Sequence, residues 1–277
     1  MGASWCASLN STSLLTRAMR SAPLLVLLSA CDPPPPASEP FSDAAVAALM
    51  AFDNADSADL ARAFEQLEGE IAADLDLDAD ASQRSLTPAR LTEADVEHLE
   101  HPERDPARAL PVALAGSSDW PLVEHPRVAL VADQSDIEPF AESYSRTFLE
   151  GESCFLSECA FLRSENHVVK ANPAMTVPYV VFKDWRRFEL SDGRGALASR
   201  GWMKEGADGN DGKGRIEQSF AIELWTEQDD GSTLRLMVLW AETTFDPPQD
   251  DDLVVLTTRL GIDLLFASHD DWIAANP

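Results

Sequence analysis

The stretch from Arg215 to Glu227 alternates without a break, and nothing else in the chain constrains its fold as strongly. Ile216, Gln218, Phe220, Ile222 and Leu224 fall on one side, and Arg215, Glu217, Ser219, Ala221, Glu223 and Trp225 on the other. A period of two is the signature of a strand with two different faces. The turn Asp229-Asp230-Gly231-Ser232 leads into Leu234 to Phe245, again with period two, which predicts an antiparallel hairpin. Upstream, Tyr179 to Leu190 reads as a strand ended by Ser191-Asp192-Gly193. Ala196 to Glu205 reads as another, before the loop Gly206 to Gly214, and His167 to Ala171 as an edge strand. Sequential strands joined by short polar turns predict an antiparallel meander.

Helical spacing brackets this sheet. Ala45, Val46, Leu49 and Met50, then Leu60, Phe64, Leu67 and Ile71, predict two helices between Ser42 and Ala73, broken at Asn54 to Ser57. Residues 74–90 read as an acidic loop. Thr92 opens a short helix that ends before Pro102, and Pro102 to Pro139 reads as irregular. After Pro247-Pro248, Asp250, Asp251 and Asp252 suit a helix N-terminus. Leu253, Leu256, Leu260, Leu264 and Ala267 then share one narrow arc, predicting a helix from about Asp251 to Ile273 with that arc packed on the sheet. A strand through Leu260 is the alternative. The expected class is α+β: N-terminal helices, then a meandering antiparallel sheet packed by a C-terminal helix. The divisions are a signal segment at 1–30, a Pro-rich tether at 31–41, a helical segment at 42–110, and sheet plus helix at 111–277.

Charge narrows the function. Among 277 residues, 48 are Asp or Glu and 21 are Lys or Arg, a net charge of −27. A general nucleic-acid binder needs clustered cations for phosphate and is excluded. Standard catalytic signatures are missing: there is no Gly-x-Ser-x-Gly elbow, no His-Glu-x-x-His and no dinucleotide fingerprint. Gly206 to Gly214 looks superficially like a phosphate loop, but Gly214 stands where Ser or Thr would bind magnesium. It reads as a hairpin loop, with calcium capture by Asp208, Asn210 and Asp211 as the rival. His98 and His101 share a helix face without an evident third ligand, and Asp74 to Asp80 lack the glycine a calcium loop requires. No metal and no cofactor is expected. Trp185, Arg187, Arg200, Trp202 and Trp225 concentrate aromatic and positive character in the strands. They form a candidate ligand-binding face, against the simpler reading of cross-strand ion pairs and core tryptophans.

The N-terminus supplies an address. Between Met1 and Cys31 there is no acidic residue, and the only charges are Arg17 and Arg20. The apolar run Ala22 to Leu28 precedes Ser29, Ala30 and Cys31, the layout of a secretory signal. The tetrad Leu28-Ser29-Ala30-Cys31 resembles the lipobox of bacterial lipoproteins. That resemblance implies that Cys31 carries palmitate-type acyl chains, becomes the first mature residue and attaches the chain to a membrane. Pro33 to Pro36 suit a tether. Cys6 leaves with the signal, so Cys154 and Cys159 remain in an oxidising compartment and are expected to form a disulfide. A metal pair would need more ligands than the nearby His167, and redox motifs favour two intervening residues.

Cys154-Phe-Leu-Ser-Glu-Cys159, Trp185-Arg-Arg, Trp202, Gln218-Ser219 and Leu239-Trp240 resemble positions in uncharacterised lipoproteins of high-GC proteobacteria such as myxobacteria. A long antiparallel sheet closed by a C-terminal helix also resembles the helix-grip (START-like) architecture. These resemblances imply a lipid-anchored protein of the cell envelope, facing the periplasm or cell surface. Its expected role is that of a binding or interaction module for a small ligand or an envelope protein. The alternative is an extracytoplasmic hydrolase assembled from Ser219, His167 and Asp184.

Overall fold

The computed structural model describes residues 44–53, 57–81, 83–171, 175–210 and 212–277. The signal segment, Cys31, the tether and Asp211 lie outside the described residues. Helices α1 (Ala44–Ala51) and α2 (Ala58–Asp74) are followed by strand β1 (Ser85–Leu86) and helix α3 (Glu93–Val96). Then come β2 (Leu110–Ser118), α4 (His125–Ala129), β3 (Ala141–Glu150), β4 (Phe161–Ala171), β5 (Thr176–Glu189) and β6 (Gly195–Trp202). The chain closes with β7 (Ala207–Asp208), β8 (Gly214–Glu227), β9 (Thr233–Phe245) and α5 (Asp251–Ala275). None of the described helices is long and apolar enough to cross a membrane.

The expected α+β class and the meander are present. The strands lie in the order β1-β2-β9-β8-β6-β5-β4-β3, with β7 beside β8 and all pairings antiparallel. Several strands depart from the sequence reading, among them β1 within the expected acidic loop 74–90 and β7 within the loop Gly206 to Gly214. The segment expected to be irregular contains β2, whose residues Leu110 to Ser118 pair along β9. Pro111 is the second residue of that strand, close to its start, where a missing N–H costs little. The predicted edge strand at His167 is only part of β4, and β3 lies outside it.

Helices lie on both faces of the sheet. On one face Phe188, Ala198, Trp202, Phe220, Ile222, Leu236, Val238 and Trp240 pack against Leu49, Phe52, Leu60, Phe64 and Leu67 of the N-terminal helices. Each fully buried side chain of this size contributes about 1.5–3 kcal/mol, so α1 and α2 form a second layer belonging to the same core. Ion pairs fasten that layer. Arg200, almost fully buried, donates to both oxygens of Asp53 and to Asp184, which also receives Arg163 at 2.7 and 2.8 Å. Arg194 grips Glu68 of α2 with two bonds at 2.6 and 2.8 Å.

Helix α5 lies on the other face. Asp250 caps it, accepting from the Asp252 N–H at 2.9 Å, as the acidic run suggested. Its orientation is the reverse of the expectation. Leu253, Leu256, Leu260 and Leu264 are 42–50 % exposed, and Ala267 is exposed with them. The buried arc lies on the opposite side of the helix: Ile262, Leu265, Phe266, His269 and Ile273. Ile262 and Phe266 meet Val112 and Leu114 of β2, while Ile273 meets Val128 and Ile137.

Candidate ligand-binding site

Strand parity sorts the chemistry. Trp185, Arg187 and Trp225 point to the α5 face, whereas Arg200 and Trp202 point to the face under α1 and α2. The five residues singled out in the sequence therefore do not form one surface. Arg200 fastens the helical layer, and Trp202 stacks with Phe182 within the core. Trp185 and Trp225 stack on each other at 5.5 Å, backed by Phe155, Leu162 and Leu197.

Phe155 is placed by the loop between Cys154 and Cys159, which are joined by a disulfide across a Cα–Cα distance of 5.1 Å. Arg187 holds the same loop, donating to the carbonyls of Ser157 and Cys159 and lying over the Phe155 ring. Beside it a surface cleft of about 460 Å³ is walled by Leu122, Val123, Pro126, Leu156 and Leu197, with Arg187 on its border.

Next to the tryptophan pair lies a polar cluster whose residues face α5. Trp185, Ser199 and Glu223 stand directly opposite one another on β5, β6 and β8. The Lys183 ammonium lies 4.3 Å from the Trp185 ring centre and 2.6 Å from Glu223. Arg146 of β3, also buried, lies 5.7 Å from the same ring. It donates to Asn166 at 2.7 Å and to the carbonyl of Ala129. His269 of α5 is buried over this cluster, and burial, then the charges of Arg235, Lys183, His125 and Arg146, holds its pKa well below the usual imidazole range. It is neutral at pH 7.

Several buried donors here have no protein partner: the indole N–H groups of Trp185 and Trp225 and the hydroxyl of Ser199. Such atoms forfeit about 1–3 kcal/mol each unless water or a ligand meets them. From Lys183 the same row continues across the sheet through Gly201, Ala221 and Leu239. Ala221, Leu239, Met237 and Val181 are only half-buried, while their neighbours Phe220, Ile222 and Val238 on the opposite face are fully covered. The α5 face is thus incompletely filled and bears a polar group set at one end of an apolar row.

The sequence reading missed Arg146, Lys183, Ser199 and His269. The alternation of Arg215 to Glu227 had already set Glu223 and Trp225 together on the side opposite Ile222 and Leu224. Only the register across β5 and β6 adds Ser199 and Lys183 to them.

Other candidates disperse. Ser219 faces α5, Asp184 is held by two arginines on the opposite face, and His167 is exposed beside Glu165 at 2.8 Å, so the three hydrolase candidates do not meet. Asp270, next to His269 in sequence, is taken by Arg235 and Ser118. His98 turns to Asp53 and His101 to Glu93, each at 3.6 Å. Asp208 pairs with Arg215 at 2.6 Å. Among the described residues no group of three His, Cys, Asp or Glu is arranged to hold a metal.

No protein-family model matches the chain, and no curated protein matches it. Solved structures share part of its layout. TTHA0849 from Thermus thermophilus is 14 % identical over 60 % of this chain and 99 % of its own, with a TM-score of 0.41. A START superfamily protein from Mycobacterium smegmatis is 8 % identical over 60 % and 99 %, with a TM-score of 0.40. A STAR-related lipid transfer protein from Xanthomonas axonopodis is 10 % identical over 60 % and 87 %, with a TM-score of 0.43. At these values the likeness assigns this chain neither a ligand nor a residue role.

Proposed function

We propose that this protein is a lipid-anchored binding module of the cell envelope that takes a small amphipathic ligand between its sheet and α5. The observation that supports this is the contrast between the two faces. One is filled by apolar side chains and paired charges, while the other leaves an apolar row half-covered beside buried donors without partners. Pockets for small ligands have that composition, mostly apolar with a few placed polar groups.

The uncharged fluorophore N-phenyl-1-naphthylamine tests the reading. Its emission should rise saturably on titration into the protein, and Ala221→Phe, which fills the row, should weaken binding about tenfold, the worth of about 1.4 kcal/mol of apolar contact. Loss of binding in Leu156→Glu, with Ala221→Phe unaffected, would move the site to the surface cleft. Absence of binding to the unsubstituted protein would refute the reading. Anchoring is tested separately: Cys31→Ser should leave an unprocessed precursor that does not partition with lipid.

A further inference from the structure

The cations of the α5 face are not treated alike: Arg235 is bonded to Asp270 and Lys183 to Glu223, whereas Arg146 has only uncharged partners among the described residues. Under α1 and α2, Arg163, Arg194 and Arg200 are each bonded to carboxylates. On the α5 face, Arg146 has the side chain of Asn166, the carbonyl of Ala129 and the Tyr144 hydroxyl as its hydrogen-bond partners, all uncharged, and no carboxylate among the described residues pairs with it. Lys183 shares the Trp185 ring with it, and among the described residues Glu223 is the single carboxylate bonded to that ammonium. Trp225 stacks on the same ring. A buried charge without a counter-ion is costly, and a ligand anion is the group that removes the cost. The free indole and hydroxyl donors of Trp185, Trp225 and Ser199 suit the same acceptor.

We propose that the α5 face binds an anionic amphipath, its single anionic group held by Arg146 and Lys183 beside Ser199 and its apolar body lying along Ala221 and Leu239. This rests on the reading that the face takes a small ligand, and it adds the charge of that ligand. The protein's own field opposes it, since a net charge of −27 repels anions from the surface. A preference for an anion must therefore originate locally.

The experiment compares two probes with nearly the same aromatic body, 1-anilinonaphthalene-8-sulfonate and the uncharged N-phenyl-1-naphthylamine, at equal ionic strength. The sulfonate should bind at least tenfold more tightly, although it is the more water-soluble. Arg146→Gln should abolish that preference, bringing the two probes to equal affinity, while Arg146→Lys should keep part of it. Displacement of the sulfonate by dodecanoate or by dodecyl phosphate, but not by dodecanol, distinguishes a carboxylate from a phosphate monoester as the natural head. Equal or weaker binding of the sulfonate overturns the anion assignment and leaves the binding module intact. Failure of both probes overturns both. A preference that survives Arg146→Gln removes Arg146 from the site. Should Arg146→Gln not fold, the comparison in the unsubstituted protein still decides whether an anion is preferred, and Arg146→Lys then reports on the residue.

Discussion

Arg200 reaches from the sheet to Asp53 at the end of α1 with two bonds of 2.7 and 2.8 Å, so one buried guanidinium joins the helical layer to β6. Its second carboxylate, Asp184, is completely buried. Arg163 still holds Asp184 when Arg200 is removed, so Arg200→Met should cost about 3 kcal/mol, the low end of the penalty for breaking a buried ion pair. Asp53→Asn should cost less, because Asp53 is half-exposed and solvent can replace the lost contact. Urea unfolding of both variants checks the order, and equal effects would mean that Arg200 is not the shared tie.

Arg259 of α5 is half-buried, its Nε has no partner, and burial alone holds its pKa below the usual guanidinium range. Removing such a charge leaves nothing unpaired. Arg259→Leu should be neutral or stabilising by up to about 1 kcal/mol, read as an unchanged or slightly higher Tm. A clear fall in Tm would reveal a carboxylate partner in solution.

Two histidines make stability depend on pH. Burial, and then Arg235, lowers the His125 pKa to about 4, and His269 is also held well below its ordinary value. The unfolded chain binds protons at these sites before the folded chain does, so stability is complete above the ordinary histidine pKa and falls as pH drops from about 6.5 toward 4. For His125 the loss reaches about 2 kcal/mol at pH 5. Thermal melts between pH 7.5 and 4.5 should show the decline, and His125→Gln should flatten it.

The disulfide between Cys154 and Cys159 closes a short loop, for which chain entropy predicts about 2 kcal/mol. The same loop seats Phe155 on the Trp185–Trp225 pair. Reduction, or the double change of both cysteines to Ser, should lower Tm by several degrees and shift tryptophan emission to the red. Loss of stability with unchanged emission would mean that Phe155 keeps its place without the bridge.

The sequence by itself determined the strands whose two faces differ chemically. Arg215 to Glu227 could form nothing but a strand, and the turn at Asp229 to Ser232 made it half of a hairpin. It also favoured a helix starting after Asp250 over a strand through Leu260, because a free backbone N–H and a nearby carboxylate find each other locally. Segments whose structure depends on a distant partner were not legible. Strand β2 has a broken pattern and exists because β9 offers it a ladder more than a hundred residues away in sequence. Helix α5 carries apolar residues on two opposite arcs, so periodicity could not say which one meets the sheet; packing against Val112 and Leu114 chose the arc of Ile262 and Phe266 and left the leucines outside. The candidate site divides in the same way. Parity within one strand separates Trp185 from Arg186, but only the pairing of β3, β4, β5, β6 and β8 brings Arg146, Lys183, Ser199 and Glu223 to one place. Register between strands is a tertiary quantity, fixed when a whole face is buried at once, and no local spacing encodes it.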